Sequence, residues 1–275
     1  IDIHAHVNFP NFDADRVEVM KRALQSGVGM INVGTDLETS KSAVALAHEY
    51  ENEPVWATVG LHPTDCQGAT LTVNFWEEFK KLAEDKKVVA IGECGLDYFR
   101  SDKLKVESYK ESQKQIFLKQ IAIASEVGKP LMIHCRSTLG TQDAYEDILE
   151  IISKSQFPDH KKILGNIHFF ASSLPIAKQF LALGFTLSFT GVITFTRDYD
   201  EVIKATPFDR LMAETDCPFV APAPYRGKRN EPSYVLEVVK RLAEIKSISA
   251  KVMAEQTVAN AYRMFGLQTP DVKIP

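Results

Sequence analysis

The chain has 275 residues, 45% of them hydrophobic and 25% charged, which excludes an intrinsically disordered protein and supplies enough apolar mass for a large core. That length accommodates one large α/β domain or two small ones. A formal net charge of −4 and a pI near 6.0 exclude a protein that coats nucleic acid through a basic field, yet leave room for one that grips a phosphate or two locally.

The first predicted element is the opening "IDIHAH", where apolar residues alternate with Asp2, His4 and His6. That period of two is a strand's, and it sends all three polar side chains to one face. A strand with one wet face explains the pattern by itself; a metal site needs partners from elsewhere in the chain. Further short apolar runs follow in order: "GMINVG", "VWATVG", "VVAIGE", "PLMIH", "KILGNIH", "FTLSFTG" and "RLMAETD". Each precedes a segment of helical character. In "FWEEFKKLAEDK", Phe75, Trp76, Phe79, Leu82 and Ala83 form one apolar stripe on an otherwise charged helix. Gly27, Gly128 and Gly184 stand where a helix should stop and the next strand begin. The final stretch "AKVMAEQTVANAYRMFGL" predicts an extra helix.

Strand and helix thus alternate with a unit of roughly thirty residues, the size of a βαβ repeat. Eight such units imply parallel strands closed into a (β/α)8 TIM barrel, one domain over residues 1–275. An open doubly wound sheet is the alternative, weakened because no GxGxxG or GxxxxGK[ST] phosphate loop follows a strand. No apolar run approaches the roughly 20 residues of a membrane helix, and no basic stretch followed by an apolar one marks a secretory signal. A cytoplasmic location is expected, with a nuclear pool open to a eukaryotic source. Cys66, Cys94, Cys135 and Cys217 form no CxxC pair, which argues against a zinc ribbon or disulfide framework.

A barrel of this kind builds its site at the carboxyl ends of its strands. The residues predicted there are His4 and His6, His62, Glu93, His134, His168 and Asp216, while His48 and His160 fall in a helix and a polar loop. Singly, each has a structural explanation: a core histidine, a loop carboxylate, a helix N-cap. Together they would leave many imidazoles and carboxylates desolvated on one rim unless a cation or substrate compensates them. So many ligands exceed one tetrahedral ion, so two divalent metals roughly 3.5–4 Å apart are expected, with Glu93 bridging. Such a pair can share a hydroxide and lower its pKa, which is hydrolytic chemistry. Asp216 is expected to orient that nucleophile or accept its proton. Cys94, Cys135 and Cys217 each follow a proposed ligand, and alternation turns them away as packing residues.

A second cluster lies in "APAPYRGKRNEP", with Arg226, Lys228 and Arg229. A solvated charge run is the default reading. Against it, Arg136 follows His134 on the same rim, and guanidinium forks suit phosphate oxygens.

"DIHAH", "GLHP", "AIGECGLDY", "IHCR", "HFF", "ETDCP" and "RGKRNEP", in this order and spanning nearly the whole chain, resemble the TatD-type metal-dependent deoxyribonucleases, similar in fold to the amidohydrolase superfamily. "IGECGLDY" and "RGKRNEP" are the specific motifs; an HxH near an amino terminus is common to many barrel metallohydrolases. The resemblance implies that His4, His6 and Asp216 hold one metal, that His134 and His168 hold the other, and that Glu93 bridges them. It also implies that His62, Arg136, Arg226 and Arg229 face the scissile phosphate. Asp97 and Tyr98 belong to the motif without a derivable role, as does Lys228. The implied activity is 3′–5′ exonuclease action on single-stranded DNA, sometimes RNA, with strand ends as partners and no obligate protein partner. The family habit is magnesium, whereas imidazole-rich ligands suit zinc, manganese or iron better. Two rivals remain: a dimetal enzyme for a cyclic amide, lactone or small phosphate ester, and a non-catalytic module with a relic site.

Overall fold

Short apolar strands separated by amphipathic helices pair in parallel through helical crossovers. The computed structural model, which describes residues 1–66, 71–99, 107–155 and 163–267, has that arrangement. Its strands are β1 (Asp2–Ala5), β2 (Met30–Val33), β3 (Val55–Val59), β4 (Val88–Asp97), β5 (Leu131–Arg136), β6 (Gly165–Ile167), β7 (Thr186–Phe189) and β8 (Leu211–Ala213), side by side in chain order. The sheet's two ends meet through a parallel bridge between Ala5 and Cys217. Asp216 N–H donates to the His4 carbonyl and His6 N–H to the Cys217 carbonyl, both at 2.9 Å. The expected (β/α)8 barrel is therefore the fold.

The helices among the described residues are α1 (Arg16–Gln25), α2 (Leu37–Glu49), α3 (Val73–Ala83), α4 (Glu107–Val127), α5 (Asp143–Lys154), α6 (Leu174–Ala182), α7 (Asp200–Ala205), α8 (Val235–Lys246) and α9 (Ala250–Phe265). On α3 the predicted stripe faces inward: Phe79 and Ala83 are buried, and Phe75, Trp76 and Leu82 pack half-buried beside them. Full burial of a phenylalanine of this kind stabilises by about 1.5–3 kcal/mol. Gly27, Gly128 and Gly184 end their helices with φ of 73°, 68° and 95°. The extra helix is α9. Its Ala261, Met264 and Phe265 pack on Ile3, Ile31, Trp56, Ala90, Met132 and Met212, residues at the starts of strands, and so close the amino-terminal end of the barrel. His160 lies outside the described residues.

One expectation needs correction. Strand β4 does not stop at Glu93 but continues to Asp97, because Gly95 pairs with His134 and Asp97 with Arg136. Glycine makes that pairing feasible: a Cβ on Gly92 would stand 2.2 Å from the Met132 carbonyl oxygen, and one on Gly95 2.0 Å from that of His134. Glu93 therefore sits at a register irregularity inside a long strand. Asp2, two residues before His4 on the same strand, ties the barrel seam. Its carboxylate accepts from Thr215 N–H at 2.8 Å and from the Thr215 hydroxyl at 2.5 Å.

Candidate metal centre

The predicted site residues reach the carboxyl-terminal mouth from six strands. His4 and His6 come from β1 and the residue just beyond it, His62 from the loop after β3, Glu93 from β4, His134 from β5, His168 from just past β6, and Asp216 from the turn after β8. The His4 and His6 Nε2 atoms are 3.1 Å apart. Asp216 Oδ1 lies 3.4 Å from His6 Nε2 and 3.8 Å from His4 Nε2. Glu93 Oε2 lies 3.4 Å and 3.7 Å from the same two nitrogens. Its other oxygen, Oε1, turns to the opposite group: His134 Nδ1 at 2.8 Å, His62 Nε2 at 3.4 Å and His168 Nε2 at 3.6 Å. One carboxylate thus presents one oxygen to each of two histidine clusters.

Neighbouring groups fix which nitrogen faces the centre. His6 Nδ1 lies 3.1 Å from the Val33 carbonyl, to which it donates, leaving Nε2 bare. His168 Nδ1 is 3.0 Å from Glu214 Oε1, an oxygen that accepts from Phe169 N–H at 2.6 Å. His134 Nε2 lies 3.2 Å from Asp97 Oδ2, so Nδ1 is the atom turned toward Glu93. The His168 ring stacks on His4 with centroids 3.5 Å apart.

The imidazoles differ in their electrostatics. Burial would protonate Glu93, but His62, His134 and His4 outweigh it and hold the carboxyl well below the usual carboxylate range. Burial pushes His4 down to about 3 and also lowers His62. Burial opposes charge on His168 too, yet Glu214 and then Glu93 raise it to about 10. His134 is raised, against burial, by Asp97 and Glu93.

This donor set fits divalent cations. Imidazole nitrogens and carboxylate oxygens crowd within 4.8 Å of one another in three groups: His4 with His6 and Asp216, His62 with Glu93 and His134, and His4 with His168 and Glu214. Acceptors packed so closely in a buried site repel one another unless a cation lies between them. His62, expected to face substrate, therefore stands among the donors of the second cluster. The four cysteines stay out of these groups: all are free and buried, and burial raises each thiol pKa.

The sequence reasoning missed Glu214 and left Asp97 without a role. Alternation holds the signal for both, since Glu214 is two residues before Asp216 and Asp97 is four after Glu93. Tyr98 is buried, and its hydroxyl donates to Asp147 at 2.7 Å, which braces β4 against α5. Because Glu214 aims His168, Glu214→Gln is expected to weaken metal retention by roughly 10- to 100-fold. Titration of metal into the stripped variant checks this; wild-type retention would reduce Glu214 to a space-filling group.

The basic residues are less uniform. The Arg136 guanidinium lies 3.9 Å over the Phe99 ring, and that of Arg226 lies 3.9 Å over Phe195 while donating to the Ala221 carbonyl at 3.1 Å. Arg229 makes a bidentate pair with Asp15 at 2.8 and 2.6 Å and donates to the Asn11 carbonyl at 2.8 Å. Its fork is occupied in joining the loop after β8 to the start of α1. Lys228 is exposed. Asn230 is buried and clamps the same loop, donating to the Thr215 and Phe219 carbonyls at 2.9 and 2.6 Å. Among the described residues no helix is long and apolar enough to cross a membrane.

Comparison with known proteins bears on this geometry. The family model described as TatD related DNase matches residues 1–266. The chain is 40% identical over 267 residues to the uncharacterized metal-dependent hydrolase YabD of Bacillus subtilis, covering 96% of this chain and 98% of that one. It is 34% identical over 277 residues to the 3′-5′ ssDNA/RNA exonuclease TatD of Erwinia tasmaniensis, covering 97% and 99%. The crystal structure of YJJV, a TatD homologue from Escherichia coli, superposes with a TM-score of 0.83 at 28% identity, covering 97% and 98%. A barrel whose mouth gathers imidazoles and carboxylates, matched by that family over almost its entire length, belongs to the TatD-related DNases and is a metal-dependent hydrolase.

Proposed function

We propose that this hydrolase is a 3′–5′ exonuclease of single-stranded DNA or RNA that works with two divalent cations, the barrel acting as one catalytic domain. The observation that carries the reading is the divided Glu93 carboxylate, with Oε2 toward His4 and His6 and Oε1 toward His62, His134 and His168. His4, His6 and Asp216 would hold one ion and His134 and His168 the other, with Glu93 between them and magnesium, manganese or zinc as the candidate metals. Divalent ions there would polarise a phosphoryl oxygen and lower the pKa of water.

This chain's residues supply the remainder. Asp216 orients the attacking water and takes its proton at a carboxylate oxygen. Arg136 and Arg226 hold the phosphate as charge develops, and His62 flanks it from the second cluster. Arg229, engaged by Asp15, keeps the basic loop in place. Relatives named as exonucleases support the substrate class, as does an acidic chain that carries its cations locally.

The test is digestion of a 3′-ended single-stranded oligonucleotide beside bis(4-nitrophenyl) phosphate, lactones and cyclic amides. Stepwise loss of 3′ nucleotides, abolished by chelator and restored by added metal, is expected. Preference for the small esters or amides would transfer the same centre to a different substrate class and overturn the proposal.

A further inference from the structure

Beside the second histidine cluster, a recess of about 230 Å³ opens between the end of β4 and the β5–α5 loop, lined among others by Phe99, Arg136, Ser137, Leu139, Gln142 and Tyr145. We propose that this recess is a nucleobase subsite, which holds one unpaired base of the strand whose phosphate lies at the metal centre. It rests on the exonuclease reading and adds to it the feature that recognises a base.

Continuity with the site comes first. Arg136 is two residues beyond His134 on β5 and pairs in register with Asp97, the residue that contacts the His134 ring. Phe99 follows Asp97 by two residues, so the recess begins where the candidate ligands end. A nucleotide whose phosphate meets Arg136 has its base within reach of Phe99.

The lining matches a base in chemistry and in size. Phe99 is 38% exposed, and the Arg136 guanidinium lies 3.9 Å from its ring centroid, which gives a cation-backed aromatic face. Leu139, 79% exposed, supplies an apolar wall that no core requires. Ser137 also lines the recess, with its Oγ buried and without a hydrogen-bond partner. The volume is below the roughly 300–1,000 Å³ of pockets for drug-sized ligands, which suits a single heterocycle.

The loop is also held in advance. Asp143 accepts from Thr138 N–H at 3.0 Å, from the Thr138 hydroxyl at 2.8 Å and from the Thr141 hydroxyl at 2.8 Å, and pairs with Lys110 at 2.9 Å. Binding therefore pays little to order the walls. A base in a duplex is covered by its partner and its stacked neighbours, so the recess selects unpaired ends.

The experiment uses the full, metal-loaded chain and two readings: anisotropy of a labelled, cleavage-resistant oligonucleotide, and the ratio of kcat/KM for oligonucleotide over bis(4-nitrophenyl) phosphate, which has no base. Phe99→Ala is expected to weaken binding and lower that ratio by roughly 5- to 150-fold, mainly through KM, the span that ~1–3 kcal/mol of base stacking implies. Phe99→Trp should retain both, and Phe99→Leu should behave as the alanine variant. In the wild type, one abasic nucleotide near the 3′ end should reproduce the loss, which frees the test from any folding defect. An unchanged ratio and unchanged binding in Phe99→Ala, with normal wild-type digestion, would overturn the subsite alone. Equal losses on both substrates would mark Phe99 as structural and overturn it too. Failure of the wild type to digest any oligonucleotide would bring down the exonuclease reading and the subsite together.

Discussion

Glutamine at position 93 is expected to lower hydrolysis by at least about 10³-fold while the barrel stays folded, a larger loss than the roughly 10- to 100-fold typical of groups that only orient a ligand. The substitution keeps the side chain's volume and removes its charge. It also replaces one carboxylate oxygen with an NH2 group, which only donates. Whichever cluster meets that NH2 loses an acceptor: Oε2 faces His4 and His6, and Oε1 faces His62, His134 and His168. The variant should therefore purify with less metal, and one cluster should fail before the other. Metal content, activity at saturating metal and thermal melting together check this. Activity within tenfold of wild type would show that a bridging charge is unnecessary.

Asp216→Asn and Asp216→Ala should lose activity alike and differ in stability. Asp216 has a φ of 55°, in the left-handed region that Asn and Asp enter more readily than other residues with a side chain. Asparagine keeps that backbone conformation while giving up the charge that faces His6 Nε2 at 3.4 Å. Alanine gives up the charge and adds local strain of about 1 kcal/mol at the turn that closes the sheet. The closure is at stake because Asp216 N–H donates to the His4 carbonyl at 2.9 Å. Both variants should fall by roughly 10²–10³-fold in kcat, as expected for removal of a group that stabilises charge in the transition state. Denaturant unfolding should place alanine below asparagine. Equal stabilities would refute the strain argument, and an active asparagine variant would remove Asp216 from proton transfer.

Much of this molecule was legible before any coordinates. The period-two run at His4 and His6 and the strand runs near His134, His168 and Asp216 place donors at strand ends, because a parallel barrel has one open rim for its active site. The gathering of five histidines and two carboxylates follows from topology, and α9 was visible as an amphipathic segment left over after the eighth unit. What stayed hidden depends on partners distant in sequence. Asp2 shares the alternation of His4 and His6, and only the closed barrel brings Thr215 across the seam to its carboxylate. Arg229 has the composition of a phosphate contact, yet Asp15 occupies its fork. Neither partner is marked by local pattern or spacing.

By itself, then, the sequence determined the alternation of strand and helix, the closing helix and the chemical types available at the mouth, since these follow from periodicity and steric limits within a few turns of chain. Only the tertiary structure decided which nitrogen of each imidazole faces inward, how Glu93 divides its two oxygens, and which cations remain available to a substrate. Those choices are made by groups such as the Val33 carbonyl, Asp97 and Glu214, whose contacts act over about 3 Å and whose proximity exists only once the barrel has closed.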